Sequence, residues 1–217
     1  MATQTLSPPI RTLADLLDRL GGVPLDRIRF HPAPGSATIQ DVIDVEQRED
    51  ILCELVDGVL VQKAPGFMES CLSGFVGMRL NNLVRPRNLG IVTGGGGAFE
   101  LRPDLVRIPD IAFTDWDRMP GRRCPTEPIP RLAPNLIGEI LKRGNTPAEM
   151  ARKRRDYFGA GVELLWEIDP EDRSVVVYTS PSAATTLGPT DALDGGTVLP
   201  GFKLPVAELF EELDRAG

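Results

Sequence analysis

Two carboxylates interrupt stretches that are otherwise apolar: Asp110 in VRIPDIAF and Glu139 in NLIGEIL. Both stretches read as sheet strands, and an uncompensated carboxylate in a sheet core costs several kcal/mol. Each therefore needs a cation, a proton or a hydrogen-bond network. Glu139 shares strand parity with Ile137 and Leu141, which directs it toward a cleft bordered by the sheet. A metal ion together with a lysine is the set of charges that would compensate both acids. A basic stretch follows at once. Between residues 142 and 155, Lys142, Arg143, Arg152, Lys153, Arg154 and Arg155 face one acid, Glu149, a local charge of about +5 by count. Arg152, Arg154 and Arg155, with Lys142 and Arg143, are candidates for phosphate contacts, each of which would release counterions and make binding salt-dependent.

Other chemistries are poorly supplied. The 217 residues include one histidine, His31, and three scattered cysteines, Cys53, Cys71 and Cys124, with no CxxC pair. That excludes a structural zinc site, which takes about four close Cys or His ligands. A disulfide framework is equally out of place, so the thiols read as inert or as small buried hydrophobes. His31 stands in the proline-rich FHPAPG, away from any nucleophile motif, so a Ser-His-Asp or Cys-His hydrolase is not indicated. The net charge of −7 runs against a nucleic-acid binder as a whole. The acid excess, however, sits in the first 57 and last 50 residues, which leaves a basic face possible in between. Residues 94–97 are all glycine but lack the GxxxxGK[ST] pattern, so a turn or a strand passing close to substrate is expected rather than a phosphate loop.

The elements that must position these side chains are readable in part. Thr12 and the Leu13, Leu16, Leu17, Leu20 spacing predict a helix over 12–20, stopped by Gly21-Gly22. A proline- and glycine-rich loop follows, with room for a short strand at Arg27 to Phe30; Gln40 to Glu46 reads as either a helical turn or a strand. Asp57-Gly58 between two apolar runs signals a hairpin. Leu72, Phe75, Val76, Leu80 and Leu83 share a helical face over 69–84. GIVTGGGGAFEL and VRIPDIAFTD read as one strand each, and residues 117–134 as a loop. NLIGEIL is a buried strand. Thr146, Pro147 and Glu149 form a capping-box start to a helix reaching Gly159. ELLWEIDP and SVVVYTS are further strands, and VAELFEEL a last helix. The whole is an α/β arrangement with a mixed sheet.

Along 50–210 the chain resembles a known family. ELVDG (54–58), RIPDIAF, LIGEIL and above all EMARKRRDYFGAGVELLWEIDP (149–170) are similar to the Uma-type putative restriction endonucleases, a branch of the PD-(D/E)XK superfamily. The resemblance implies a restriction-endonuclease-like core, with a mixed central sheet flanked by helices, in residues 49–217. Residues 1–48 would form an N-terminal extension of helix plus Pro/Gly-rich loop. It implies Asp110 and Glu139 as metal ligands, Lys153 as the motif lysine displaced onto the following helix, and Glu54 as the glutamate of the opening hairpin. The cofactor would be Mg²⁺, or Mn²⁺, held by oxygen donors with water completing the shell, and the substrate DNA. Two departures stand out: Lys142-Arg143-Gly144 replaces a Ser-Pro-Ser that commonly follows the glutamate strand, and Glu69 replaces a histidine at the start of the helix after the hairpin. Lys142 is thus a rival lysine, although strand parity sets it opposite Glu139. Those departures and the acidic net charge motivate a second reading, a nuclease fold kept as a nucleic-acid-binding or assembly module.

No run of about 18 apolar residues is present, and the polar start (Met1 to Ile10) lacks the pattern of a signal peptide. A cytoplasmic protein is expected, and a homodimer if both strands of a duplex are cut.

Overall fold

The Asp57-Gly58 dipeptide closes the turn its residues require, with φ of 49° and 75°. It joins β1 (Cys53–Val56) to β2 (Val59–Gln62) in antiparallel register, Val56 opposite Val59. Positive φ at both central positions matches the right-handed strand twist. Position 58 admits only glycine for a second reason: a Cβ there would lie 2.7 Å from the Gly35 carbonyl carbon. The computed structural model from which this architecture is taken describes residues 10–64 and 66–215. The reading of the chain's polar start falls mostly on residues 1–9, outside that range.

Ahead of the hairpin lie α1 (Leu13–Leu20) and α2 (Ile39–Glu49). Thr12 and Asp15 cap α1 reciprocally, and Gly21 ends it in the left-handed region. The segment whose type the sequence leaves open is a full helix. Asp41 accepts the Thr38 N–H at 2.7 Å, and Val42 and Val45, one turn apart, are buried. Both helices pack on the hairpin: Leu16 and Leu20 meet Val56, Val59 and Val61, while Val42 and Val45 meet Cys53, Leu55 and Leu60. Ile28 makes a single bridge to Val61 where a short strand was expected.

After α3 (Phe67–Val84) the two long apolar stretches behave differently from expectation. GIVTGGGGAFEL splits into β3 (Gly90–Gly94) and β4 (Phe99–Arg102), and VRIPDIAFTD into β5 (Leu105–Arg107) and β6 (Ile111–Asp115). Each break carries the chain from one sheet to another. β4 and β5 extend the hairpin into a four-stranded sheet, β2-β1-β5-β4. β3 and β6 belong to a six-stranded sheet, β10-β9-β8-β7-β6-β3, completed by β7 (Leu136–Ile140), β8 (Leu164–Asp169), β9 (Ser174–Tyr178) and β10 (Ala184–Leu187). The first break falls on the glycine run and the second on Pro109, which has no N–H to give a ladder. Asp110 therefore stands at the crossing between the sheets, just before β6, rather than inside a continuous strand.

All pairs in the larger sheet are antiparallel except β7 with β8. A parallel pair needs a crossover, supplied by α4 (Pro147–Ala160). Strand parity sorts the two faces. Leu136, Ile140, Trp166 and Phe113 pack against α3 and against α5 (Val206–Asp214), with Trp166 stacked on Phe202 at 5.5 Å. Ile137, Leu165 and Ala112 turn the other way, to Tyr157 of α4 and Phe99 of β4. Glu139 has the parity of Ile137, so it faces α4. A small ribbon, β11 (Ala192–Asp194) with β12 (Lys203–Pro205), leads into α5; neither these strands nor β10 were expected. Among the described residues no helix is long and apolar enough to cross a membrane.

Candidate active site

The β7–α4–β8 crossover decides which charges meet. In the parallel register Glu139 lies beside Glu167, so two glutamates point at one helix from adjacent strands. Consecutive residues of that helix answer them. Lys153 Nζ is 2.9 Å from Glu139 Oε1, and Arg154 Nη1 is 2.7 Å from Glu167 Oε1 while its guanidinium lies 4.7 Å from the centre of the Tyr178 ring. One turn beyond Lys153, the Tyr157 hydroxyl donates to the same Oε1 of Glu139. The i, i+4 spacing places both donors on one helix face.

Asp110 joins this group through the backbone. Its Oδ2 accepts the N–H of Ile140, the residue after Glu139, at 2.9 Å, so the crossing and the glutamate strand are tied together. Its Oδ1 is 2.8 Å from Nζ of Lys63, which also donates to the Ile108 carbonyl at 2.6 Å. Lys63 follows β2 and was not nominated from the sequence. Its signal, a lysine at the end of the hairpin, is indistinguishable from an ordinary exposed strand-end residue.

Glu54 enters from β1. Its Oε2 is 2.6 Å from Arg107 Nη1; its Oε1 accepts the Ile108 N–H at 3.1 Å and lies 3.6 Å from Lys153 Nζ. Arg107 also pairs with Asp156, on the same face of α4 as Lys153. Glu54, Asp110, Glu139 and Lys153 thus form one network in which every acid has a cation.

Burial and pairing pull these groups in different directions. Desolvation pushes the Glu139 carboxyl above its usual range, with Asp110 and Glu54 adding to it against Lys153 and Lys63. Glu54 is just as buried, but Lys153, Arg107 and the Ile108 N–H outweigh that and hold it at about 2. Burial opposes the Lys153 ammonium, yet Glu139 and Glu54 keep its pKa above the usual lysine value. Two neighbouring glutamates therefore shift in opposite directions, Glu54 lowered by its partners and Glu139 raised by burial.

Arg107→Met is expected to cost about 3–5 kcal/mol of stability in urea unfolding, because Glu54 and Asp156 would be left buried without their shared cation. The pH dependence supplies a second check. Glu54 is depressed in the folded state, so its stabilisation is present above its ordinary value of 4.5 and is lost as pH falls toward about 2. In the variant the folded value should move back toward 4.5, so less stability should be lost as pH falls through that window.

A cleft of about 490 Å³ opens beside this network, with Asp110, Lys63, Lys142, Glu69, Gly95 and Gly96 in its wall. Glu139, Glu54 and Lys153 lie beneath it, each at most 6% exposed. Lys142 lies beyond the end of β7, where strand parity no longer applies, and its ammonium donates to the Ala64 carbonyl in the same cleft wall. The other basic candidates disperse. Arg152 is bound into the fold by Asp57 at 2.7 Å and by the Arg19 carbonyl. Arg154 is held by Glu167 as above; Arg143 is exposed and pairs with Glu171 at 2.6 Å, and Arg155 is exposed. The capping box at α4 is half formed. Thr146 accepts the Glu149 N–H, but the Glu149 carboxylate turns to Arg27 at 3.0 Å and to Asn145. His31 is exposed. Cys53 is buried and unpaired, and burial raises its thiol to about 11, too high to be reactive.

Among the described residues no three His, Cys, Asp or Glu side chains group as a metal cage. Asp110, in the cleft wall, and Glu139, buried behind it, are all-oxygen donors. That donor set fits a hard divalent ion that keeps most of its waters, since Mg²⁺ binds through one or two carboxylates plus substrate phosphates.

A mixed central sheet flanked by helices is the restriction-endonuclease-like architecture that the resemblance implies. The chain belongs to the Uma2 family, described as "Putative restriction endonuclease", whose model matches residues 39–207. A solved structure described as a putative nuclease belonging to DUF820 from Anabaena variabilis ATCC 29413 superposes with a TM-score of 0.69 at 21% identity, over 81% of this chain and 98% of that one. At that identity the likeness is one of fold. No curated protein matches this chain.

Proposed function

We propose that this protein is a divalent-metal-dependent endonuclease that hydrolyses DNA phosphodiester bonds, with Mg²⁺ as its ion and Mn²⁺ as a substitute. The observation that carries the reading is that Asp110, in the cleft wall, accepts the N–H of the residue after Glu139, which itself pairs with Lys153. Membership of the family supports nuclease chemistry. Asp110 and Glu139 would hold the ion. When bound, such an ion acidifies a water and stabilises the charge that develops on phosphorus.

The chain's own groups divide the remaining work. Lys153, fixed by Glu139 and by Glu54, offers an ammonium donor to orient the attacking water or to steady a phosphate oxygen. Tyr157 holds the Glu139 carboxylate in one rotamer. Glu54 acts through Lys153 and the Ile108 peptide, which makes it a positioning residue. Lys142, in the cleft wall, is the best placed of the basic candidates for a phosphate, with exposed Arg143 and Arg155 available beyond it. Arg152 and Arg154 would have to leave ion pairs to reach DNA. Contacts of this type give salt-dependent affinity and position the duplex without reading bases.

Incubating the protein with plasmid and single-stranded DNA in Mg²⁺, Mn²⁺ or EDTA tests the reading. Cleavage in either metal and none in EDTA is expected; equal inactivity in all three would sink it. A binding or assembly module is the second reading, favoured by the ion pair that already neutralises Asp110 with Lys63. Calorimetry separates the two, because such a module would show no Asp110-dependent heat on Mg²⁺ addition.

A further inference from the structure

We infer that Lys63 is an internal stand-in for the divalent ion, a counter-ion that the metal displaces from Asp110 and that then turns to the substrate phosphate. The inference deepens the proposed function and rests on reading the cleft as a divalent-metal site.

Asp110 has two oxygens and each already has one partner. Oδ2 accepts the Ile140 N–H, a bond that ties the two site-bearing segments and cannot be given up without a buried backbone donor going unpaired. Oδ1 carries the Lys63 ammonium, the one cation recorded within 4 Å of this carboxylate among the described residues. Oδ1 keeps a second lone pair, but a divalent ion arriving there meets the Lys63 ammonium already 2.8 Å from that oxygen, and repulsion between the two cations sets them in competition. The other acids are arranged differently: Glu139 is held by Lys153 and Tyr157, and Glu54 by Arg107, all deeper than the cleft.

Lys63 is built to move. Its backbone N–H is anchored to the Leu52 carbonyl at 2.8 Å, so displacement involves the side chain alone. That side chain is a flexible four-carbon stem bearing three donors. Two of the three are engaged, by Asp110 and by the Ile108 carbonyl. Beside it the wall is bare glycine. Even an added Cβ at Gly95 would stand 3.7 Å from Nζ, and nothing lies within 4 Å of such an atom at Gly96. The freed ammonium thus has open cleft beside it, with room for a substrate phosphate.

The test is Mn²⁺ titration by calorimetry of wild type, Lys63→Gln and Lys63→Arg, each with and without Asp110→Asn. Lys63→Gln should bind Mn²⁺ roughly tenfold more tightly than wild type, within the usual range for two ligands coupled at one site. Its metal-free melting temperature should fall, and Lys63→Arg should stay near wild type. A lysine with a merely structural role would lower stability without tightening the metal. Asp110-dependent binding in wild type that is equal or weaker in Lys63→Gln overturns the displacement while leaving the metal-nuclease reading intact. Binding by Lys63→Gln alone would make Lys63 a fixed block that the ion does not displace, and overturns both the displacement and that reading. No binding by either overturns both. Should Lys63→Gln fail to fold, acetylation of Lys63 in the wild type decides: labelling should rise on adding Mn²⁺ over EDTA, and unchanged labelling overturns the proposal.

Discussion

Asp110→Ala is expected to lower metal-supported DNA cleavage by about 10³-fold or more, the largest loss of any single change in this protein. A metal ligand in such a site underwrites several kcal/mol of transition-state stabilisation, and each 1.4 kcal/mol or so is tenfold in rate. Truncation also removes two structural bonds. The Ile140 N–H loses its acceptor, and Lys63 loses its counter-charge. Together these should reduce stability by about 1–3 kcal/mol in urea. Asp110→Asn separates the effects, since the amide oxygen can still accept from Ile140 while the charge is gone. It should keep the Ile140 bond but lose the Lys63 pairing, so its stability should fall between those of wild type and Asp110→Ala, and it should cleave no better than Asp110→Ala. Full cleavage by Asp110→Asn would remove this carboxylate from the chemistry.

The second large effect belongs to Lys153→Met, which is expected to reduce cleavage by about 10²–10⁴-fold, the usual range for a positioned proton donor or acceptor. It should also destabilise the fold by about 3–5 kcal/mol, because Glu139 and Glu54 would share a buried site with one cation fewer. The two effects are read separately, by single-turnover cleavage well below the melting transition and by urea unfolding. Lys142→Met is the comparison. Lys142 sits in the cleft wall but its ammonium reaches only a backbone carbonyl, so its loss should weaken DNA binding and flatten the salt dependence while leaving stability close to wild type. If cleavage follows Lys142 and survives in Lys153→Met, the roles of the two lysines are exchanged.

Much of this protein is written in local sequence. Thr12 with Asp15 starts a helix, Gly21 ends it, and Asp57-Gly58 turns a hairpin, because each rests on bonds and dihedrals spanning only a few residues. The mixed sheet, and the resemblance of 149–170 to one nuclease family, were legible for the same reason: a crossover helix and its flanking strands are contiguous. Asp110 and Glu139 stood out because a carboxylate in an apolar run has few ways to be stable, and both are indeed buried with partners.

Tertiary structure decided the rest. A run such as VRIPDIAFTD carries the strand pattern along its length, and only pairing with other strands reveals that its halves lie in different sheets. Residues 40–46 were ambiguous because β-branched valines suit either period until one face is buried. The partners of the acids were hidden more deeply. Lys63 and Asp110 are 47 positions apart, and Arg107 and Glu54 are 53 apart, so no local pattern signals either pair. In the basic run, spacing alone could not say that Lys153 meets Glu139 while Arg154 meets Glu167; that follows from the parallel register of β7 and β8 beneath one helix. The sequence by itself determined that two acids must be compensated, since desolvation is a local cost. Which cations compensate them was left to the fold, because Coulomb attraction acts through space and the topology sets those distances.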